Sequence, residues 1–502
     1  MEAKLGFSGY NAYQCVYMKT ITQTESQDCV VPDTLPDIAS VMITSGCVLI
    51  RSKDVAEGHA RLEANVPARI CFAGEGDAQI CSLDVNIPFY ISAEDDAIRS
   101  DCVCCANLTL QHLETRLLNP RKISVRAEVC AEIRCFAEGS EMFQTGPSEE
   151  GGAIHALEAE AELTSISCVT EKTFVLTDEF ELPQEQDAAV EILAQNADVF
   201  VQEQRNVGTK LIVKGYVRSE LVFQTEKNDA AALAFQTSFS QIIETATEAE
   251  DCLYETQMLI SGMYYELTPA SDGRAISMEL HLVAQAVVYT RQRIRYLLDA
   301  YSNIYDLSLC HISRESVRFG REVILRDSCT SAIELPGEVK SVIACRAGVT
   351  SCINSGKEFS LQLALQICWR GESMIRSAER MLSHRITLDP ESESIKVCCV
   401  TVQDVYAAPG AGGAELRIQL EVKGFTAQTV TLDAIESIAY EEDAQKDTDG
   451  VPTLVLLRPG KDCSLWDMAK ENCSTVDAIR AANGLEDGAP LPEHLLLIPK
   501  TL

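Results

Sequence analysis

Residues 62–72 read LEANVPARICF, and this stretch decides the fold class because apolar residues occupy every second position. Period-two alternation places apolar side chains on one face, which is typical of a half-buried β-strand. The pattern returns in residues 211–223, LIVKGYVRSELVF, and in residues 361–369, LQLALQICW. The sequence therefore predicts a mainly β protein in which one type of strand occurs three times.

A second alternating run follows each of these stretches. It covers residues 123–133 in the first copy, 276–284 in the second and 416–422 in the third. Corresponding runs begin about 150 residues apart, which is the size of an ordinary domain. We therefore predict three tandem β-rich units, each made of sheets packed face to face in a sandwich-like arrangement.

The predicted boundaries are residues 1–155, 156–305 and 306–440 for the three units, 441–451 for an acidic linker and 452–502 for a separate module. The linker is predicted because residues 441–450, EEDAQKDTDG, lack apolar periodicity. Short helices are predicted inside the units where apolar residues recur at helical spacing. These residues are Ile38, Val41 and Met42; Ala188, Ala189, Ile192 and Leu193; and Ile294, Leu297, Leu298 and Tyr301.

Composition excludes several classes of partner. The chain has 75 Asp and Glu against 42 Lys and Arg, a formal net charge of −33. This charge repels a phosphate backbone, so we expect no nucleic acid partner. No run of 18 or more apolar residues occurs, and no basic segment followed by a long apolar one begins the chain, so we expect no membrane insertion. A cytoplasmic protein with its 21 Cys residues reduced is the resulting expectation.

The sequence contains no complete catalytic or metal-binding motif of the kinds considered next. The seven His residues show neither a His-Glu-x-x-His motif nor an i, i+4 pair that would suit zinc. The sequence also lacks a Gly-x-Ser-x-Gly elbow and a complete phosphate-binding loop. The glycines at 410–413 precede a strand and indicate a hairpin turn. We therefore expect no enzyme activity, no catalytic residue, no metal and no cofactor.

The densest thiol cluster consists of Cys102, Cys104 and Cys105, and Cys398-Cys399 is the next. Two interpretations are open. The thiols could form a metal site or an oxidative crosslink, or Cys102 and Cys104 could share one strand face as small buried apolar residues. Because no second Cys-x-x-Cys pair supports zinc, buried packing is the favoured interpretation.

The C-terminal segment has the pattern of a small strand, helix, helix, strand module. Residues 454–457 and 495–498 are short apolar runs that predict strands. A first helix is predicted at residues 465–469 from its apolar spacing. A second begins at the capping-box pattern of residues 474–477 and ends before Gly484.

This module resembles a LysM domain, a small glycan-binding fold. The resemblance is carried by residues 458–460 (RPG), 464–470 (SLWDMAK), 474–479 (STVDAI), 482–485 (ANGL) and 496–499 (LLIP). It implies that a glycan or a protein partner is contacted by Gly460, Lys461, Asp462, Ser464, Leu465, Trp466, Asn483, Gly484 and Leu485. The turn between Gly460 and Leu465 is longer than in the family, which argues against sugar binding. Trp466 is interpreted either as a core residue, which is favoured, or as an anchor facing a partner.

The three β units resemble SPOCS domains, which are found in spore-forming anaerobic Firmicutes. Residues 31–38 (VPDTLPDI), 117–125 (LLNPRKISV) and 299–302 (DAYS) carry this resemblance. It implies the motif residues Pro32, Asp33, Pro36, Asp37, Asn119, Pro120, Arg121 and Lys122. Copies two and three lack the Pro-Asp signature, with Gln186-Asp187 expected at the place of Pro36-Asp37. Arg121-Lys122 is interpreted as a turn with a charged lead-in, or as a contact site for a partner.

SPOCS units followed by a LysM module are the layout of a family of spore coat morphogenetic proteins. This resemblance implies a non-enzymatic scaffold in endospore coat assembly, acting from the mother-cell cytoplasm at the forespore surface. Its implied partners are the coat-basement ATPase, contacted by the LysM module, and other coat proteins. The alternative is a peptidoglycan-binding protein of the cell wall or cortex. The missing export signal and the longer turn argue against that alternative.

Overall fold

The computed structural model describes residues 2–75, 80–147, 153–227, 229–245, 251–355, 357–372, 375–389, 393–446, 452–460, 463–486, 491–492 and 494–501. The described chain is mainly β, as predicted, with strands β1 to β21 and helices α1 and α2. Neither of these helices is long and apolar enough to cross a membrane.

The strands fall into three groups, called units 1 to 3, followed by a C-terminal module. Unit 1 contains β1 (Leu5–Val30), β2 (Ile38–Gly46), β3 (Leu49–Ala56), β4 (His59–Gly74), β5 (Ile80–Glu94), β6 (Val103–Asn119) and β7 (Lys122–Pro147). Unit 2 contains β8 (Ile154–Glu181), β9 (Ala189–Val207), β10 (Lys210–Thr225), β11 (Ala230–Glu244), β12 (Leu253–Leu267), a 3-10 turn (Pro269–Ser271) and β13 (Ala275–Ser302). Unit 3 contains β14 (Tyr305–Glu334), β15 (Ser341–Asn354), β16 (Glu358–Arg370), β17 (Ile375–Thr387), β18 (Ser394–Gly410) and β19 (Gly413–Gln445). The module contains β20 (Leu454–Leu457), α1 (Leu465–Glu471), α2 (Val476–Asn483) and β21 (Leu496–Pro499).

Each unit pairs its strands in the same way. One antiparallel sheet has the order β6-β7-β1 in unit 1, β12-β13-β8 in unit 2 and β18-β19-β14 in unit 3. The other sheet is centred on β4, β10 or β16. The inner faces of the two central strands share one apolar core in every unit. The alternating runs of the sequence form these central strands, so their prediction is confirmed.

The three units also pack against one another. One apolar cluster combines Cys71, Val222 and Cys368, which come from β4, β10 and β16. A second combines residues of β7, β13 and β19 with aromatic neighbours. The first two units share a six-stranded sheet through a single pairing of Tyr13 with Ile166. Each unit therefore buries part of its surface against the other two.

The helices predicted inside the units are wrong. Ile38, Val41 and Met42 lie in β2, the residues at 189–193 lie in β9 with Ala188 just before it, and the residues at 294–301 lie in β13. The pairing register shifts inside all three segments, which marks β-bulges or irregularities. A bulge adds one residue to a strand and breaks the period of two. The resulting apolar spacing imitates that of a helix.

Strand β19 agrees with prediction at its start and differs at its end. The glycines before it form the predicted hairpin turn, in which Gly412 has a φ of 80°. Its C-terminal part pairs with β14 up to Gln445, which faces Tyr305. Residues 441–445 therefore belong to strand β19, so this part of the predicted linker is in a strand, with a register shift between the Leu307–Tyr440 pair and the Tyr305–Gln445 pair. Residues 447–451 lie outside the described residues.

Candidate functional site

The C-terminal module is built around a small core of Met468, Ala469, Ile479, Leu496 and Ile498. Strands β20 and β21 pair antiparallel, and the two helices pack on one side of this sheet. The opposite side carries the outward side chains of the strands. The module thus has a buried face and a face that no described part of the chain covers.

Both helices begin at capping residues. The hydroxyl of Ser464 accepts the Asp467 N–H at 3.1 Å, and the Asp467 carboxylate accepts the Ser464 N–H at 3.1 Å. This reciprocal pair is a capping box at α1. Helix α2 begins at Thr475, whose hydroxyl accepts the Ala478 N–H, and the structure gives it no reciprocal partner. The capping box predicted for the second helix is therefore found at the first.

Most residues implied to bind a partner have structural roles. Asn483 donates to the carbonyls of Ile479 and Leu497 at 2.7 Å each and accepts the Leu497 N–H at 2.8 Å, so it joins α2 to β21. Gly484 ends α2 with a φ of 65°, and the Leu485 side chain packs against the module core. Ser464 and Leu465 begin α1, and Gly460 is exposed before it. Lys461 and Asp462 lie outside the described residues.

Trp466 lies at the contact between the module and unit 2. Its indole Nε1 donates to Asp299 Oδ2 at 2.7 Å, and its ring meets that of Tyr301 edge to face at a centroid distance of 4.7 Å. The Lys470 ammonium binds both carboxylate oxygens of Asp299, at 2.8 and 2.7 Å. Trp466 also packs against the module core. It is therefore a core residue and an anchor, and the anchored partner is the chain itself.

Residues 299–303, at the end of β13 and the turn after it, supply the other half of this contact. The Tyr301 hydroxyl donates to the Ser474 carbonyl at 2.9 Å. The Asn303 amide donates to the carbonyls of Ser474 at 3.1 Å and of Thr501 at 2.9 Å. We call residues 299–303 the docking segment. They contain the string DAYS, which the sequence offered as part of a resemblance and not as a contact.

Electrostatics keep the docking groups in the required protonation states. Burial alone raises the pKa of Asp299, but hydrogen bonds from Lys470 and Trp466 outweigh it and hold that pKa below its ordinary value. Burial, with the nearby Asp477 charge, raises the pKa of Tyr301 to about 12. Asp299 is thus an anionic acceptor and Tyr301 a neutral donor at neutral pH. Each group is in the form that its hydrogen bonds need.

The motif residues predicted in unit 1 form a clamp around Arg121. One guanidinium nitrogen donates to the Leu35 carbonyl at 2.9 Å and to Asp37 at 3.1 Å. The other donates to the Val31 carbonyl at 3.0 Å and to Asp33 at 2.9 Å. The guanidinium therefore holds the whole segment between β1 and β2, a structural role that neither sequence interpretation of Arg121 described.

The other motif residues complete the same clamp. The Asn119 side chain accepts the Arg121 N–H at 2.9 Å, and the Pro120 carbonyl accepts the Ile38 N–H at 2.8 Å. Pro32 begins the turn closed by its carbonyl and the Leu35 N–H, and Pro36 follows that turn. Lys122 pairs with Asp28 at 2.7 Å. The motif fastens the β6–β7 turn to the segment that follows β1.

Unit 2 has an equivalent clamp that the sequence analysis missed. Arg274 donates to the carbonyls of Gln186 at 2.5 Å, Leu182 at 3.1 Å and Pro183 at 2.9 Å. The Leu182 N–H binds the Arg274 carbonyl at 2.7 Å, as the Val31 N–H binds that of Arg121. These matching hydrogen bonds make Gln186-Asp187 of unit 2 equivalent to Leu35-Pro36 of unit 1. The predicted alignment, with Pro36-Asp37, differs by one position.

An apolar residue followed by proline marks this place in every unit. The pairs are Val31-Pro32, Leu182-Pro183 and Leu335-Pro336. In unit 3 the Leu335 N–H bonds to the Gly412 carbonyl, and the guanidinium comes from Arg376, which donates to the Pro336 carbonyl at 3.1 Å. The recurring dipeptide is the signal that aligns the three copies.

A buried ionic cluster joins all three units. Glu255 of unit 2 is 4% exposed, and it accepts from Arg134 of unit 1 at 2.7 Å and from Lys396 of unit 3 at 2.9 Å. The Tyr289 hydroxyl donates to the same carboxylate at 2.8 Å. Burial raises the pKa of Glu255, but Lys396 and Arg134 outweigh it and keep that pKa below its ordinary value. Glu255, Arg134 and Lys396 line a cavity of about 510 Å³ between the units.

The predicted thiol clusters are dispersed by the fold. Cys102 and Cys104 are buried in the core of unit 1, in line with the packing interpretation, while Cys105 lies in the cluster between units. Cys398 is half-buried and Cys399 is exposed. Within the described ranges, no three His, Cys, Asp or Glu side chains are placed to hold a metal ion.

Comparisons of the chain with family models, with curated proteins and with solved structures each found no match.

Proposed function

We propose that the chain is a non-enzymatic scaffold in endospore coat assembly. The three units, taken as SPOCS-like domains, would act as a recruiting platform for coat proteins. The C-terminal module, taken as a LysM domain, would dock on the coat-basement ATPase at the forespore surface, on the mother-cell side. This proposal rests on the sequence resemblances and on the contacts of the module.

The observation that carries the choice of a protein partner is the engagement of the module's own polar groups. The Asn483 amide is bonded to main-chain groups on both sides, and the Trp466 indole is bonded to Asp299. A sugar site needs such groups free to bind hydroxyls, because buried polar groups that recognise a ligand must pair with it. Their internal use favours a protein partner over peptidoglycan.

The uncovered face of the module is apolar. Leu454 and Leu456 point outward from β20, Leu495 lies exposed before β21, and Leu497 faces Leu456 across the strand pair. We call these four residues the leucine face. Adjacent exposed leucines are typical of protein contact surfaces. We propose that the leucine face binds the coat-basement ATPase, while the helix side stays on unit 2.

Attachment to a polymerised partner would gain from repetition. A surface of one small module supports only a weak or standard-sized interface. The three units in tandem and the module would offer several individually weak contacts to one polymerised surface. The effective concentration of the second contact then rises, and avidity exceeds the affinity of a single module.

The test is a retention experiment with the full-length chain. The immobilised protein is offered purified coat-basement ATPase and, separately, purified peptidoglycan, at physiological and high salt because the net charge is −33. We expect retention of the ATPase alone. Retention of peptidoglycan alone would favour the cell-wall alternative and refute the scaffold proposal.

A matched pair of variants tests the assigned face. Leu456→Ser removes an exposed side chain of the leucine face, and Leu118→Ser removes one of similar exposure from unit 1. Losing the burial of one leucine costs about 1.5–3 kcal/mol, or about tenfold or more in affinity. We expect this loss for Leu456→Ser only. Equal retention by both variants would mean that the leucine face is not the docking surface.

A further inference from the structure

Cys104 and Cys135 are direct partners on the antiparallel strands β6 and β7. No other two cysteines are partners in the strand pairs that the structure describes. Opposite residues of antiparallel strands have Cα atoms about 4.5–5.5 Å apart, within the span of about 4.4–6.8 Å that a disulfide bridges. The backbone therefore already holds these two residues at bonding separation.

The surroundings make the two thiols unequal. A hydrogen bond from the Cys135 thiol, with help from the Lys53 charge, lowers the pKa of Cys104 below its ordinary value despite burial. The same hydrogen bond and burial raise the pKa of Cys135. The Lys53 ammonium donates to the Cys104 carbonyl at 2.8 Å. Cys104 is thus the thiol of the pair that loses its proton more readily, and the thiolate is the form that reacts with oxidants.

Burial does not separate the two thiols, since Cys104 is 6% exposed and Cys135 is 0% exposed. Their order of reaction follows from the difference in pKa, and Cys135 is hydrogen-bonded to the Cys104 sulfur that reacts first. Cys105, the next residue, lies in the cluster between units, and burial raises its pKa to about 12, so it does not compete.

We propose that Cys104 and Cys135 form a reversible disulfide when the chain meets hydrogen peroxide. The Cys104 thiolate attacks one peroxide oxygen, the O–O bond breaks, and a sulfenic acid and hydroxide form. The Cys135 sulfur then attacks the Cys104 sulfur and displaces the oxygen. The displaced oxygen leaves as water, taking the proton of the Cys135 thiol. The proton first lost by Cys104 converts the hydroxide to a second water molecule. Two thiols lose two electrons and the peroxide gains them.

The bridge would form beneath a contact between units 1 and 2. Lys53 of unit 1, which holds the Cys104 carbonyl, also pairs with Glu171 of unit 2 and donates to Gln285 of unit 2 at 2.9 Å. The Gln285 amide in turn pairs with both main-chain groups of Ala106, two residues along β6. Oxidation would therefore fasten the strand on which this contact is built.

The experiment uses the full-length protein treated with hydrogen peroxide, blocked with N-ethylmaleimide, digested and mapped by mass spectrometry. We expect a peptide pair linked through Cys104 and Cys135 and a loss of about 2 Da in the intact chain, both reversed by dithiothreitol. Cys104→Ser should abolish the linked pair, and Cys105→Ser should keep it. Lys53→Met should slow its formation several-fold, because the thiolate fraction falls.

The disulfide map of the wild-type protein tests the proposal even where a variant folds poorly. If the exposed Cys15 and Cys399 are oxidised while Cys104 and Cys135 both remain blocked by maleimide after denaturation, the proposal is wrong. Linkage of Cys104 to any other cysteine would overturn it as well.

Discussion

Asp299→Ala should release the C-terminal module from unit 2. The substitution removes the acceptor of the Trp466 indole and the anion that Lys470 pairs with. A hydrogen bond to a charged group contributes about 1.5–3 kcal/mol, and a partly exposed ion pair about 0.2–1 kcal/mol. Because Asp299 is only 22% exposed, we expect a loss of about 2–3 kcal/mol, or about a 30- to 150-fold rise in undocked chains.

The two tryptophans of the chain make this measurable. Trp369 is fully buried in the core of unit 3, whereas Trp466 lies at the docking contact. In a Trp369→Phe background, fluorescence reports Trp466 alone. Urea should shift its emission to the red as the module leaves unit 2, and Asp299→Ala should bring that shift to lower urea.

Asp306→Ala serves as the control for the loss of one carboxylate. Asp306 lies in the adjacent strand, is exposed and makes only a 3.7 Å pair with Lys446. Its removal should change the free energy of undocking by less than about 0.5 kcal/mol and so leave the urea midpoint unchanged. If Asp299→Ala and Asp306→Ala gave the same midpoint as the background, the module would not be held by the contacts described, and the docking argument would fail.

Three further outcomes are expected. Docking should weaken in acid, because the pKa of Asp299 is lower in the folded chain than in the unfolded one. The stabilisation that Asp299 supplies is complete above its unfolded pKa of about 3.9 and is lost as the pH falls through its folded pKa. Trp466 fluorescence measured against pH should show this loss in the Trp369→Phe background but not when Asp299→Ala is added. Glu255→Gln should lower the free energy of unfolding by about 3 kcal/mol, because Arg134 and Lys396 lose their counter-charge; an unchanged urea midpoint would contradict the ionic cluster. Arg121→Ala should lower the free energy of unfolding by about 2–4 kcal/mol because the clamp is lost, whereas Arg116→Ala, at an exposed position, should lower it by less than about 0.5 kcal/mol. If the folded Arg121→Ala variant still retains the ATPase, the role of Arg121 is structural and not in binding.

The sequence indicated the central strands of each unit because alternation is strictest where a strand has one fully buried face. Leu62 and Val66 of β4 and Val125 of β7 are fully buried, and all three belong to the predicted runs. The bulged strands were misjudged as helices because a bulge is a property of the pairing with a neighbour. Ile38 and Met42 show helical spacing, and only the partner strand β4 shows why.

The candidate site was harder to predict because it depends on contacts between distant parts of the chain. Trp466 was identified, but its partner Asp299 is 167 residues away, and no local pattern links the two. The ionic cluster has the same character. Arg134, Glu255 and Lys396 each lie in a separate unit, so an alternating strand pattern gives no reason to expect that they meet.

Two members of that cluster, Glu255 and Lys396, occupy corresponding positions of their units, and the third such position holds Cys105, the strand partner of Arg134. The strand pairing matches Cys105 of β6 with Glu255 of β12 and Lys396 of β18, since each faces the same position of its central strand. An assembly of three identical chains would have to place the same residue there three times, and three carboxylates or three ammonium groups would repel one another. Joining the copies in one polypeptide lets each diverge on its own, so that a thiol, an acid and a base share the place. A chain in which one unit was replaced by a copy of another would carry the same group twice at this place, so the separate identity of each unit is part of what makes the body stable.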